Sequence, residues 1–312
     1  MRILPVSVSV QVMACLLLCA CGEPERSVSP AAPVASCKNG WEGIRVVPSE
    51  GMTTLSSVRY LDDGTPRALG AGQQVLRLDG DLWRPKAISP RANMFNLWGS
   101  STSDIFIAGS RGHVYHYDGT LWRTEFKAPD EQQLRDVRGF SSGKVVVVGG
   151  SYLLHGGPAV AYVFDGKDWT QLKTPAGSAN LHGVWGRSIS SLFAVGADNS
   201  AQPISGLILH YDGSEWTRMS IPRVGPLNAV WGTDDQHVIA VGDDGAILRF
   251  DGNVWTREVV PAGNYVAVDG TSQANVYVAG HQRLIHWNGQ SWVDATPEVT
   301  YQNWRSVAVT ND

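Results

Sequence analysis

The chain is short of cysteine, of glutamate and of clustered positive charge. Its four cysteines stand at 15, 19, 21 and 37, so no disulfide framework can span the body of the protein. No run of Lys or Arg occurs and the net charge is -4, which excludes a surface that tracks nucleic-acid phosphates. After Cys21 there is no His-x-x-x-His or Cys-x-x-Cys spacing, so neither a metal nor a cofactor is expected. The pairs Gly149-Gly150 and Gly156-Gly157 lack the Lys-Ser/Thr that follows in a phosphate loop. No segment carries a helical period. What is abundant instead is glycine, 34 residues, and tryptophan, 12 residues, in a chain of 43% hydrophobic and 17% charged residues. That balance suits many short strands joined by tight turns around a full core.

The tryptophans are not scattered. An aromatic residue or Leu, then Asp/Asn-Gly, two variable residues and Trp recurs six times. The copies run Leu78-Asp79-Gly80 with Trp83, Tyr117-Asp118-Gly119 with Trp122, and Phe164-Asp165-Gly166 with Trp169. They continue as Tyr211-Asp212-Gly213 with Trp216, Phe250-Asp251-Gly252 with Trp255, and Trp287-Asn288-Gly289 with Trp292. Successive Asp/Asn positions are 39, 47, 47, 39 and 37 residues apart. Asp-Gly and Asn-Gly favour the positive φ angles of tight hairpins, so each copy reads as a turn between two strands. Upstream lie two further elements, such as Val230-Trp231-Gly232 and then Ala240-Val241-Gly242. Each repeat is thus four short strands, a to d.

Four antiparallel strands per unit of about forty residues make the blade of a β-propeller. One blade cannot bury both faces, whereas a closed ring lets each pack between two others, with Trp supplying about 150–250 Å² of buriable surface per copy. Leu55–Gly70 aligns without gaps to Leu227–Gly242, which completes the first unit. Asn39–Pro48 then reads as a lone strand d and Trp304–Asp312 as a lone strand a. The expected fold is all-β, a propeller of six complete four-stranded blades with these end strands at the seam. The alternative is seven blades with a reduced last one. The propeller domain is placed at 37–312.

The period resembles the WD40, kelch and Asp-box propellers. The triplets Val-Trp-Gly and Ala-Val-Gly with Tyr-Asp-Gly-x-x-Trp resemble a class of bacterial exported repeat proteins over about residues 39–309. At the other end, Arg2 precedes an apolar stretch, Ile3 to Leu18, which leads into Leu18-Cys19-Ala20-Cys21-Gly22. This resembles the lipobox of bacterial lipoproteins. The resemblance implies a signal peptide over 1–20, cleavage before Cys21 and acylation of that thiol, palmitate included. Gly22 after it, rather than Asp, implies the outer membrane of the cell envelope. Residues 21–36, rich in Pro, Ser and Ala, read as a disordered tether with a typical reach of about 20 Å.

Candidate function comes from loop length. From the Gly ending strand b to the residue ending strand c, the six units count 8, 8, 15, 15, 8 and 7 residues. The two long b–c loops belong to neighbouring blades, and insertions on one face of a repeat array mark a binding face. The predicted patch comprises Tyr152, Leu153, Leu154, His155, Asp198, Asn199 and Gln202. His116, His210 and His286 share one repeat position and so cannot converge on one site. Calcium would need several carboxylates at one turn, where the motif offers one. Sialidase-like hydrolysis needs an Arg cluster with Tyr, Glu and Asp; Gly43-Ile44-Arg45-Val46-Val47-Pro48 only faintly resembles its Arg-Ile-Pro signature, so no catalytic set is assigned. The expectation is a non-catalytic binding scaffold, anchored to the membrane by lipid, with a protein or glycan partner and no nucleic acid. The rival readings are an envelope assembly factor, by fold analogy, and a carbohydrate-active enzyme.

Overall fold

The computed structural model describes residues 55–70, 73–79, 82–88, 93–129, 132–141, 143–151, 157–175, 177–296 and 304–310. Its strands come in runs of four. The first run is β1 (Leu55–Tyr60), β2 (Pro66–Gly70), β3 (Gln74–Asp79) and β4 (Leu82–Ala87). The second is β5 (Met94–Ser101), β6 (Asp104–Gly109), β7 (His113–Tyr117) and β8 (Trp122–Lys127). The third is β9 (Gln133–Gly139), β10 (Val145–Gly150), β11 (Val160–Phe164) and β12 (Trp169–Leu172). The fourth is β13 (Ala179–Ser188), β14 (Ser191–Asp198), β15 (Ser205–Tyr211) and β16 (Trp216–Arg218). The fifth is β17 (Leu227–Asp234), β18 (His237–Gly242), β19 (Ile247–Phe250) and β20 (Trp255–Arg257). The sixth is β21 (Tyr265–Ser272), β22 (Asn275–Gly280), β23 (Arg283–Trp287) and β24 (Trp292–Asp294).

Within each run every strand pairs antiparallel with the next. Four runs form separate four-stranded sheets, and the third and fourth merge through the single bridge of Gly150 to Asn180. The fold is an all-β propeller. Its strands have the composition the role demands: β10 reads VVVVGG and is buried throughout, because its two faces lie against two neighbouring sheets.

Two motif positions explain how one sheet seats on the next. The strand-d Trp lies against the preceding sheet. Trp169 stacks on Phe126 at 4.9 Å, and Trp255 meets Phe193 at 6.2 Å. Trp216 shares a core cluster with Val146 and Val148 of the third sheet. The strand-a Trp lies over the glycine of the following strand a. A Cβ on Gly139 would sit 2.2 Å from the Trp98 ring, and on Gly232 2.9 Å from Trp185, so only glycine fits.

The Asp-Gly turns differ in one respect from the expected tight hairpin. Tyr117 pairs with Trp122, so Asp118–Leu121 is a four-residue loop, and only its glycine has positive φ, +89°. Asp118 Oδ1 accepts the Thr120 and Leu121 amides at 3.0 and 3.1 Å. Asp165, Asp212, Asp251 and Asn288 repeat the pattern. The carboxylate side chain replaces the two-positive-φ geometry by capping the loop directly. These backbone N–H groups hold the Asp212 carboxyl down at about 2.

Candidate functional site

Each innermost strand carries a bulge at the same place, for instance between Leu55 and Ser57 and between Leu227 and Ala229. A bulge re-aims the side chains beside it. Seven inner segments, β1, β5, β9, β13, β17, β21 and residues 304–310, contribute to a central cavity of about 160 Å³. A side-chain hydrogen bond joins every neighbouring pair of them near the bulges. Ser306 Oγ accepts the Val58 amide at 3.2 Å, Ser57 Oγ donates to Asn96 Oδ1 at 2.7 Å, and Asn96 Nδ2 donates to Asp136 Oδ1 at 2.5 Å. Asp136 Oδ2 then accepts the Val184 amide at 2.8 Å. His182 Nδ1 reaches the Leu227 carbonyl at 2.9 Å, and Asn228 Nδ2 donates to the Tyr265 carbonyl at 2.9 Å. Asp269 Oδ2 accepts the Val309 amide at 2.8 Å. Packing agrees with this circuit, since Ala308 joins the core of the first sheet while Trp304, Val307 and Val309 join that of the sixth.

The cavity is lined by both signs of charge, Arg59 and Arg138 with Asp62, Asp136 and Asp269. Burial pushes the Asp136 and Asp269 carboxyls up, against the pull of Arg59 and of the backbone amides they accept. Burial also pushes Asp62 up, with Arg138 opposing, and lowers the Arg138 guanidinium. Among the described residues, no three His, Cys, Asp or Glu gather as a metal site. His116, His210 and His286 lie on three different sheets, the first and last stacked on Phe106 and Tyr277 at 4.0 and 4.1 Å and His210 tilted against Phe193 at 4.7 Å.

Of the predicted patch, Tyr152, Leu153, Leu154 and His155 lie outside the described residues, as does Cys21. The second long loop is built rather than slack. The β14–β15 ladder continues past Gly196 through Ala197–Gly206 to Asp198–Ser205, leaving six residues, 199–204, at the tip. Asp198 is buried beneath that tip: it accepts the Ser200 hydroxyl and amide and pairs with Arg218 at 2.6 Å. The Ser200 bond comes first among the causes that hold its carboxyl below the usual range. Its oxygens therefore brace the ledge. The Asn199 amide is tied to the Ser178 carbonyl at 2.9 Å. Asn199 is half-buried, Gln202 exposed, and Ile204 beside them is 48% exposed. Sequence reasoning passed over Ile204, although an aliphatic residue after Pro203 in a polar loop was the available signal.

No family model matches the chain, and no curated protein sequence does either. Solved structures do. The WD40 β-propeller domain of Doa1 superposes with a TM-score of 0.58 at 13% identity, over 77% of this chain and 82% of that one. YCF48 from Cyanidioschyzon merolae gives 0.53 at 14%, over 76% and 78%. YCF48 bound to D1 peptide gives 0.52 at 15%, over 75% and 76%. At such identities the likeness is one of architecture, and the chain shares the β-propeller fold of these proteins.

Proposed function

We propose that the chain is a non-catalytic binding scaffold of the cell envelope, lipid-anchored through Cys21, whose propeller has seven blades. The observation that carries the binding reading is the braced ledge of β14 and β15. A neutral insertion would leave slack chain, whereas here two extra ladder pairs, the Asp198–Arg218 ion pair and the Asn199 amide fix an exposed tip carrying Gln202 and Ile204. Rigid presentation lowers the ordering cost of association. Tyr152, Leu153, Leu154 and His155, on the neighbouring long loop, complete the surface in this reading, with Asp198 as its support. A protein partner is favoured because a propeller of the same architecture, YCF48, holds a D1 peptide.

The seven-blade reading rests on seven inner segments and seven junctions. Residues 304–310 serve as the inner strand of the last blade, and Trp83 packs on Ala308 as the other strand-d tryptophans pack on a preceding sheet.

The test shortens both long b–c loops to the eight-residue form of the fifth sheet. The shortened chain should still unfold in one cooperative transition while capture of an envelope partner by the tagged protein is lost; retained capture rejects the surface. For the anchor, palmitate labelling should vanish in Cys21→Ala and the protein should leave the membrane fraction. Export of an unlabelled wild-type chain would contradict it.

A further inference from the structure

We propose a second binding site, a cationic cleft between the first and second sheets that takes a carboxylate-bearing oligosaccharide. It goes beyond the loop surface and does not depend on it. The cleft encloses about 720 Å³, a size typical of ligand sites, and Arg67, Arg77, Arg84, Lys86, Tyr117 and Trp122 are the lining residues that matter.

Strand register puts three of the cations in one row. Arg67 pairs with Arg77 across β2 and β3, and Arg77 pairs with Arg84 across β3 and β4. Adjacent strands lie about 4.8 Å apart, and like charges directly opposite one another destabilise a sheet. In the second sheet the same row is Phe106, His116 and Arg123, in the fifth Ile239, Arg249 and Thr256. There, acids answer the cations. Glu125 binds Arg123 at 2.9 Å, Asp104 meets His116 at 2.7 Å, and Glu258 binds Arg249 at 2.8 Å. The residue three after Trp, Glu125 and Glu258 in those sheets, is Lys86 in the first. Arg67 also stands where Phe106 fills the space to the next sheet, which leaves the cleft open. Asp79 pairs with Arg84 at 2.7 Å and approaches Arg77 at 3.9 Å, while Asp63 is occupied by the Thr65 and Thr102 amides. None of the described residues that line the cleft is acidic.

Four cations answered only by Asp79 at the rim and by Asp63 beside Arg67 keep a surplus of positive charge that is complementary to an anion, and planar guanidinium groups suit carboxylates in particular. The far wall supplies Tyr117 and Trp122, their rings 5.2 Å apart, with Lys86 Nζ 5.5 Å from the Tyr117 ring. Flat aromatic faces beside carboxylate-binding groups match a sugar ring bearing an acid. The walls are side chains rather than a free row of backbone donors, which disfavours an extended peptide. A dense polyanion is disfavoured by the overall charge of -4.

The experiment is calorimetric titration of the full chain with trigalacturonate at low ionic strength, with galactotriose and hexaglutamate as comparisons. Trigalacturonate should bind, and salt should weaken it. Lys86→Glu, which restores the acid of the second and fifth sheets, and the exposed Arg77→Gln should each weaken it about tenfold or more. Neither should lower the unfolding temperature, because each relieves repulsion. Shortening the b–c loops should leave this binding intact. No binding, binding indifferent to Lys86→Glu, or hexaglutamate binding as tightly as trigalacturonate would each overturn the proposal.

Discussion

The two arcs of the inner ring meet one requirement from different sequence positions. From residues 304–310 round to the fourth sheet, the links come from Ser306 and from the residues just after the bulges, Ser57, Asn96 and Asp136. In the next two junctions that position holds Gly183 and Ala229, which cannot bond, and the bulge residues His182 and Asn228 make the links instead. Geometry repeats around the ring while chemistry does not. What the arcs share is that a polar side chain at each junction finds a partner across it, because leaving a buried polar group unpaired costs about 1–3 kcal/mol.

The sharpest way to break the comparison is Asp136→Ala. Asp136 accepts from Asn96, its neighbour's Val137 amide and the Val184 amide, so removing it strips three donors at once. Loss of about 3 kcal/mol is expected, read as a lower denaturant midpoint at unchanged slope. Asp136→Asn should recover only part, since its amide nitrogen must face a donor. In the other arc, Asn228→Ala should cost about 1 kcal/mol, because Asn228 is half-buried and its loss frees one carbonyl and Asp243.

The arcs should also answer acid differently. Burial, against its bond to the Leu227 carbonyl, lowers His182 below its ordinary 6.5. The stability that neutral His182 contributes is full above 6.5 and drains as pH falls through the lowered value. Asp136 is shifted the other way by burial, so its own contribution is greatest at low pH and diminishes as pH rises through the raised value. Wild type should therefore lose more stability than His182→Gln between pH 6.5 and 5, followed by urea unfolding at each pH. The smallest effect belongs to the turns. Asp212 should titrate at about 2 by NMR, and its contribution, present above its ordinary 3.8, should fade as pH falls through that value. Asp212→Asn should be nearly neutral at pH 7, because Asn288 already caps the sixth turn.

Much of this architecture was legible in the sequence because turn chemistry and aromatic packing are local. Asp-Gly-x-x-Trp encodes its own loop cap and the indole that seats on the preceding sheet, and six copies fix the repeat. The junction circuit was not legible, since it depends on bulges that decide whether residue 96 or residue 182 faces the neighbouring strand. The arginine row was hidden for a related reason. Arg67, Arg77 and Arg84 are separated by seven or more residues and become neighbours only through register. Asp198 was assigned to the exposed patch from its place in a long loop; the extended ladder puts it under that loop instead.

The central claim is a ring of seven linked inner segments in which residues 304–310 join the sixth sheet to the first. Hydrogen exchange on a chain lacking residues 304–312 tests it most directly. The Val58 amide, which donates to Ser306, should lose its protection together with the rest of β1 and β21, while the Val184 amide, held by Asp136, stays slow. Equal protection of Val58 with and without those residues would contradict the account.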